Sequence, residues 1–342
     1  RGVFAAFDPE TVKLALDEVC AEAGVTVRLQ SYLVASERIG DTITEVAVQD
    51  HGGRHRIGAK AFVDATGDGN LAALAGASTR YGNGGEVNLG SLGTRFGGIP
   101  TDLVVTADQV TESIQAAKLA GGGPFAKERS VAVRLPISGD MVLYLASADY
   151  DARDATGLSA AESSGRRQAQ AYLKAIRSIK GCEHAYLVST GPQFGTRESR
   201  HLDCRYQLTW DDIAGRRRFD DAIALGAWGA EWHDRDTMVS TFDYAPDRGA
   251  YEIPLSCLIS RDTVNLMAAG RTADGDRKAG AAIRVMGTSF ATGQAAGVAA
   301  ARLAEYGDTQ ADAVQGMLNK QGALLNLDEL MANTDKGNLC AQ

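Results

Sequence analysis

The sequence predicts an α/β fold in which two strand–turn–helix pieces, distant along the chain, flank a mixed α+β insertion. The first piece is Phe62–Val63–Asp64–Ala65–Thr66–Gly67–Asp68–Gly69–Asn70–Leu71–Ala72. It reads as a strand, a glycine-rich turn and a short helix ending near Gly76. The second runs from Ala268 to Ala301. It follows an apolar stretch, Val264, Leu266 and Met267, that reads as a buried strand. It then passes through a charged turn into a helix of small residues, among them Gly293, Ala295, Ala296, Gly297, Ala299 and Ala300. Between Ser78 and Tyr251, capped helices and antiparallel strand pairs replace that pattern.

Each element has its own local signal. Asp8–Pro9–Glu10 predicts a helix start, with Asp8 as the cap and Pro9 at the first helical position. Val12, Leu16, Val19 and Ala23 share one face of that helix, and Gly24 stops it. Val25, Val27 and Leu29 alternate as a strand. Thr42–Val48 and Arg54–Ile57 are two more, joined by the turn at Asp50–Gly53. Asp102–Val105 reads as a strand, and Thr106 with Gln109 forms a capping box. Val131–Leu135 and Met141–Ala146 pair around Ser138–Gly139–Asp140, and Ser159 with Glu162 opens a helix toward Ile179. Ala185–Ser189 and Leu202–Leu208 read as strands. Short helices carrying Val314, Leu318 and Leu325 close the chain.

Composition excludes several functions. The chain has 342 residues, 44% hydrophobic and 23% charged, which suits a soluble globular protein of about two domains. Its net charge is −8 and its only basic block is Arg216–Arg217–Arg218, so no nucleic-acid partner is expected. No apolar run approaches the roughly 18 residues of a membrane span. The five cysteines are scattered without a CxxC, and the histidines lack metal-ligand spacing. Reduced thiols, no metal site and a cytoplasmic location are the expectation.

Three stretches can carry chemistry. The small-residue helix either packs tightly inside an α/β layer or offers its positive N-terminus to an electron-rich ring edge or oxyanion. Gly67, Gly69 and Ala72 formally satisfy the G-x-G-x-x-A dinucleotide fingerprint. The helix that follows has about six residues, against about ten or more in a βαβ crossover, which argues against a primary NAD(P) site. In Gly195–Arg200, Arg197 and Arg200 present forked donors to a substrate carboxylate or carbonyl with Glu198 to orient them, or they form a plain ion-pair cluster. His233 is a candidate acid/base, although adjacent Asp234 points the other way.

These segments resemble the FAD-dependent oxidoreductase family with the two-dinucleotide-binding-domain, glutathione-reductase-like flavoprotein fold. The resemblance runs through Phe7–Val25, Phe62–Ala77, Thr196–Trp228, Trp232–Asp234, Tyr251–Ile259 and, most specifically, Asn265–Gly297. It implies an FAD/NAD(P)-binding three-layer α/β fold missing its first βαβ unit, with an inserted α+β substrate domain. The implied domains are 1–77 and 252–305 for FAD, 78–251 for substrate, and a helical segment at 306–342.

The resemblance also implies roles. Val34 would lie near the adenine. Ala65, Thr66, Gly67 and Asp68 would contact the FAD backbone, and Gly270 and Arg271 the ribityl-pyrophosphate. Ile283, Arg284, Met286, Gly287 and Thr288 would meet the isoalloxazine. Arg197, Arg200 and His233 would face a small-molecule substrate exchanging hydride with flavin N5. Two departures stand out. The family's strand–GxGxxG–helix unit, which holds the pyrophosphate, is absent. A partner chain or missing N-terminal segment is therefore expected to complete the FAD site, the alternative being a catalytically silent flavoprotein-derived subunit. Arg277–Lys278 also replace a frequent His-Glu pair and are expected to hold an anionic group.

Overall fold

The computed structural model describes residues 5–335, which fall into two compact units. The first unit contains the helix Pro9–Glu22, the stretch Leu89–Thr196 and the turn Asp234–Val239. Its sheet is antiparallel, in the order Tyr186–Thr190, Thr94–Gly97, Met141–Leu143, Ala132–Arg134. The helices Ala107–Leu119 and Ala155–Arg177 pack on each other, and Phe96, Ile114, Leu143, Tyr172 and Ile176 are buried.

The caps divide between expected and unexpected. Thr106 and Gln109 form the reciprocal box: Gln109 N–H donates to the Thr106 hydroxyl at 3.2 Å, and Thr106 N–H to the Gln109 side chain at 2.9 Å. The long helix is capped by Asp154, which accepts from Thr156 and Gly157 N–H at 2.9 and 3.0 Å, so it begins before Ser159. Asp8 does not cap its own helix. Its carboxylate accepts from the Ile137 N–H at 2.8 Å. Residues 25–29 and 102–105 form no strand. An alternating pattern supplies faces but does not by itself form a ladder. The helix Pro9–Glu22 buries no side chain, and Leu14, Leu16 and Val19 are exposed.

The second unit contains Gln30–Asn88, Arg197–His233 and the chain from Ser240 onward. The segments Arg197–His233 and Ser240–Tyr251, assigned to the insertion on sequence, thus cluster with the chain's two strand–turn–helix pieces. The unit opens with the antiparallel meander Tyr32–Ile39, Thr42–Asp50 and Gly53–Gly58. Gly40, with φ +61°, makes the first hairpin turn in a conformation that suits glycine. Phe62–Asp64 and Leu266–Ala268 then pair in parallel, with Ala268 opposite Asp64. Ala222–Gly226 pairs with Tyr251–Pro254, and Ala230–His233 with Ser240–Asp243.

The small-residue helix Met286–Tyr306 buries Thr288, Thr292, Ala295, Ala296 and Ala299, spaced to form one stripe. Its alanines let it close against both parallel strands, and Val314 and Leu318 of the helix Ala311–Lys320 complete this core. Cys182 of the first unit and Cys204 and Cys257 of the second are buried free thiols, and Cys20 is half-buried. Burial pushes the Cys204 and Cys257 thiols well above their ordinary range. Among the described residues no helix is long and apolar enough to cross a membrane, and no His/Cys/Asp/Glu cluster has metal-binding form.

Candidate functional site

Two glycine-bearing turns meet where the parallel strands Phe62–Asp64 and Leu266–Ala268 end. Asp64 organises the first. Its carboxylate accepts from Thr66 N–H (3.0 Å), the Thr66 hydroxyl (2.7 Å) and Ala72 N–H (2.9 Å), while its carbonyl accepts from the Thr272 hydroxyl (2.8 Å). One buried side chain therefore shapes Ala65–Gly69 and starts the helix behind it. Gly67 has φ +78°, and a Cβ there would collide with the Arg271 guanidinium. Arg271 pairs with Asp68 at 3.2 Å, which locks the second turn to the first. Gly270, at φ +65°, donates to the Thr292 hydroxyl at 3.1 Å, which ties this turn to the helix Met286–Tyr306.

Arg200 belongs to the same turn. Its guanidinium donates to the Asp68 carbonyl at 3.0 Å and the Asn70 side chain at 3.3 Å. Gly69 sits against the Arg200 Cβ, too close for a side chain of its own. Val34 stands apart, exposed on the strand Tyr32–Ile39.

A second cluster forms around Glu231, a residue that sequence reasoning missed. Glu231 and His233 are two apart on one strand, so their side chains share a face. The His233 Nε2 lies 2.9 Å from the Glu231 carboxylate, and its Nδ1 lies 2.7 Å from the hydroxyl of Ser240 on the paired strand. Arg284, which ends the helix Arg277–Ile283, donates to the Glu231 carbonyl at 3.0 Å and lies 3.6 Å from its carboxylate. Burial alone would raise the Glu231 carboxyl. The His233 hydrogen bond and the charges of His233, Arg284 and Arg197 outweigh it and bring the group to about 2. The structure thus gathers Arg197, His233 and Arg284 around one ionised carboxylate. Asp234 turns away and accepts from Thr237 at 2.8 Å. Period-two spacing within E-W-H was the legible signal, and adjacency in His233–Asp234 drew attention from it.

A buried polar chain supports this cluster. The His233 N–H donates to the Asn88 side chain at 2.8 Å, and Asn88 gives two hydrogen bonds, each 3.0 Å, to Glu198. Glu198 faces the His201 Nε2 at 3.0 Å, and the His201 Nδ1 faces the Ala273 carbonyl at 2.9 Å. Arg277 and Lys278 have protein partners: Arg277 lies 3.9 Å over the Trp232 ring and 3.4 Å from Glu86, and Lys278 lies 2.7 Å from Asp243.

The FAD dependent oxidoreductase family model matches residues 1–319. The chain belongs to that family. No curated protein matches it. Among solved structures, BexE, studied for oxidation during BE-7585A biosynthesis, is 13% identical over 91% of this chain and 47% of its own, with a TM-score of 0.43. CmlS, a flavin-dependent halogenase, is 13% identical over 91% and 42%, at 0.42. A geranylgeranyl bacteriochlorophyll reductase-like protein from Thermoplasma acidophilum is 10% identical over 91% and 58%, at 0.41. The chain spans about half the length of these structures.

The residues present suit the family's FAD. Val285, at the start of the helix Met286–Tyr306, makes no side-chain cap, so no side chain of its own satisfies the first-turn N–H groups. A Cβ on Gly287 would meet nothing within 4 Å. Gly67 and Gly270 both hold positive φ in the turns beside it, with the Arg271 guanidinium lying against Gly67. Thr288 and Ile283 are buried beneath, and Met286 is exposed.

Proposed function

We propose that this member of the FAD dependent oxidoreductase family oxidises or reduces a small organic substrate. FAD, when bound, supplies the hydride chemistry at its N5. In this reading segments of the second unit within 30–77 and 252–305 serve FAD, and residues within 78–251 serve the substrate. Gly67, Asp68, Gly270 and Arg271 hold the cofactor's chain, with Ala65 and Thr66 at the turn's exposed edge. The open N-terminus of Met286–Tyr306 favours negative charge on the ring. Arg197 orients the substrate, His233 moves a proton, and Arg200 keeps the cofactor turn in shape. The observation carrying this reading is the meeting of two positive-φ glycine turns at the carboxyl ends of adjacent parallel strands, where open α/β sheets bind ligands.

The test is an absorption titration of the purified chain with FAD. The expected result is a flavin band near ~450 nm that persists through gel filtration and bleaches anaerobically with a donor. A second reading has support in the helix Pro9–Glu22, whose Leu14, Leu16 and Val19 are exposed. In it, a partner chain or further segment completes the FAD site, and the chain alone is silent. A colourless chain that holds no added FAD would sink the first reading in favour of the second.

A further inference from the structure

We infer that Ser240, His233 and Glu231 form a proton relay in which the Ser240 Oγ is the atom that meets the substrate. Resting on the functional reading above, this adds a catalytic residue, Ser240, and a positioning residue, Glu231. The three groups follow one another: Glu231 carboxylate, 2.9 Å to the His233 Nε2, then Nδ1, 2.7 Å to the Ser240 Oγ. The chain runs from inside to outside. His233 is buried, and Ser240 lies on an exposed strand.

The chemistry follows from the order of partners. An ionised carboxylate only accepts, so Glu231 holds a proton on Nε2 and fixes the tautomer. The Nδ1 is then the basic nitrogen, and it faces a hydroxyl. When a substrate O–H or N–H gives up its proton, that bond's electron pair stays on the substrate. The Ser240 Oγ takes the proton while its own passes to Nδ1. His233 becomes an imidazolium held between Glu231 and the serine, and the reverse reaction returns the proton. A nucleophile hydrogen-bonded to a base that a third group orients is the general signature of an activated hydroxyl.

The charges facing His233 are consistent with this direction. Glu231 lies on its own strand. Ser240 and Asp243 lie on the paired strand, with Asp243 already taken by Lys278. The helix Arg277–Ile283 packs on the other side, placing Arg277 on Trp232 and Arg284 at Glu231. Arg197 adds its charge to the same carboxylate. Asn88 accepts from the His233 backbone N–H.

The test uses p-nitrophenyl acetate on the chain without FAD, so it reads independently of cofactor binding. The Ser240 Oγ attacks the acetyl carbon, its proton passes to the His233 Nδ1, and p-nitrophenolate leaves with the broken bond's electron pair. Peptide mapping is expected to find Ser240 acetylated about 100-fold faster than other exposed serines. In Glu231→Gln the midpoint of the pH–rate curve falls by about one unit, because the imidazolium loses its carboxylate. Acetylation of Ser240 at the rate of other serines, or an unmoved midpoint in Glu231→Gln, overturns the relay. If Glu231→Gln does not fold, Ser240→Ala decides by imidazole nitrogen resonances. The expected change is at the His233 Nδ1 with Nε2 unmoved, and an unchanged Nδ1 is equally fatal.

Discussion

Replacing Gly67 with alanine is expected to weaken FAD binding about 100-fold, a loss of about 2.7 kcal/mol. It is also expected to destabilise the chain by about 2–3 kcal/mol. Two costs add. An L-residue is strained at φ +78°, and the new methyl falls where the Arg271 guanidinium rests. Arg271 must then leave Asp68 and open the joint between the two turns. Arg271→Ala in the same background removes the collision but not the strain, so it should recover part of the stability and none of the affinity. Urea unfolding and a flavin titration check both figures. Wild-type affinity in Gly67→Ala would show that FAD does not approach this backbone.

Removing the Glu198 side chain, as in Glu198→Ala, is expected to cost about 3–5 kcal/mol. Glu198 and His201 are both about 2% exposed. Both His201 ring nitrogens face oxygens, Nε2 toward the Glu198 carboxylate and Nδ1 toward the Ala273 carbonyl. Deleting the carboxylate leaves the His201 Nε2 and two Asn88 donors buried without it. The double variant Glu198→Leu/His201→Phe should cost less than Glu198→Ala, since a well-packed apolar pair leaves fewer polar groups stranded.

The pair also sets an acid limit. Burial alone would raise the Glu198 carboxyl, but the hydrogen bond and charge of His201 and the two Asn88 bonds leave it below its ordinary 4.5. Its stabilisation is therefore complete above that value and is lost as pH falls through the lower folded one. In Glu198→Ala, stability measured by urea melts should lose this acid-side slope. An unchanged slope with a cost under about 1 kcal/mol would show that the pair does not bear on stability.

These residues show why some parts of the molecule are legible in sequence and others are not. Phe62–Gly69 and Leu266–Arg271 were readable because strand, glycine turn and helix follow one another locally, and Thr106–Gln109 because a capping box spans three residues. Ser159–Glu162 matches the same box, yet Asp154, one turn earlier, wins with two N–H bonds. Val25–Leu29 alternates like a strand but is not one in the structure. The site shows the same divide. Gly67, Asp68, Gly270 and Arg271 come together in space. The Glu231–His233–Ser240 group depends on a hairpin register, and the Asn88–Glu198–His201 chain on residues more than a hundred positions apart.

The buried thiols give this protein an internal clock. Cys20, half-buried on the Pro9–Glu22 helix, is open to an alkylating reagent in the folded state. Cys182 in the first unit, and Cys204 with Cys257 in the second, react only when their surroundings part. One reagent and a mass spectrometer thus time the breathing of the two units separately, each at its own thiol, in a single native sample.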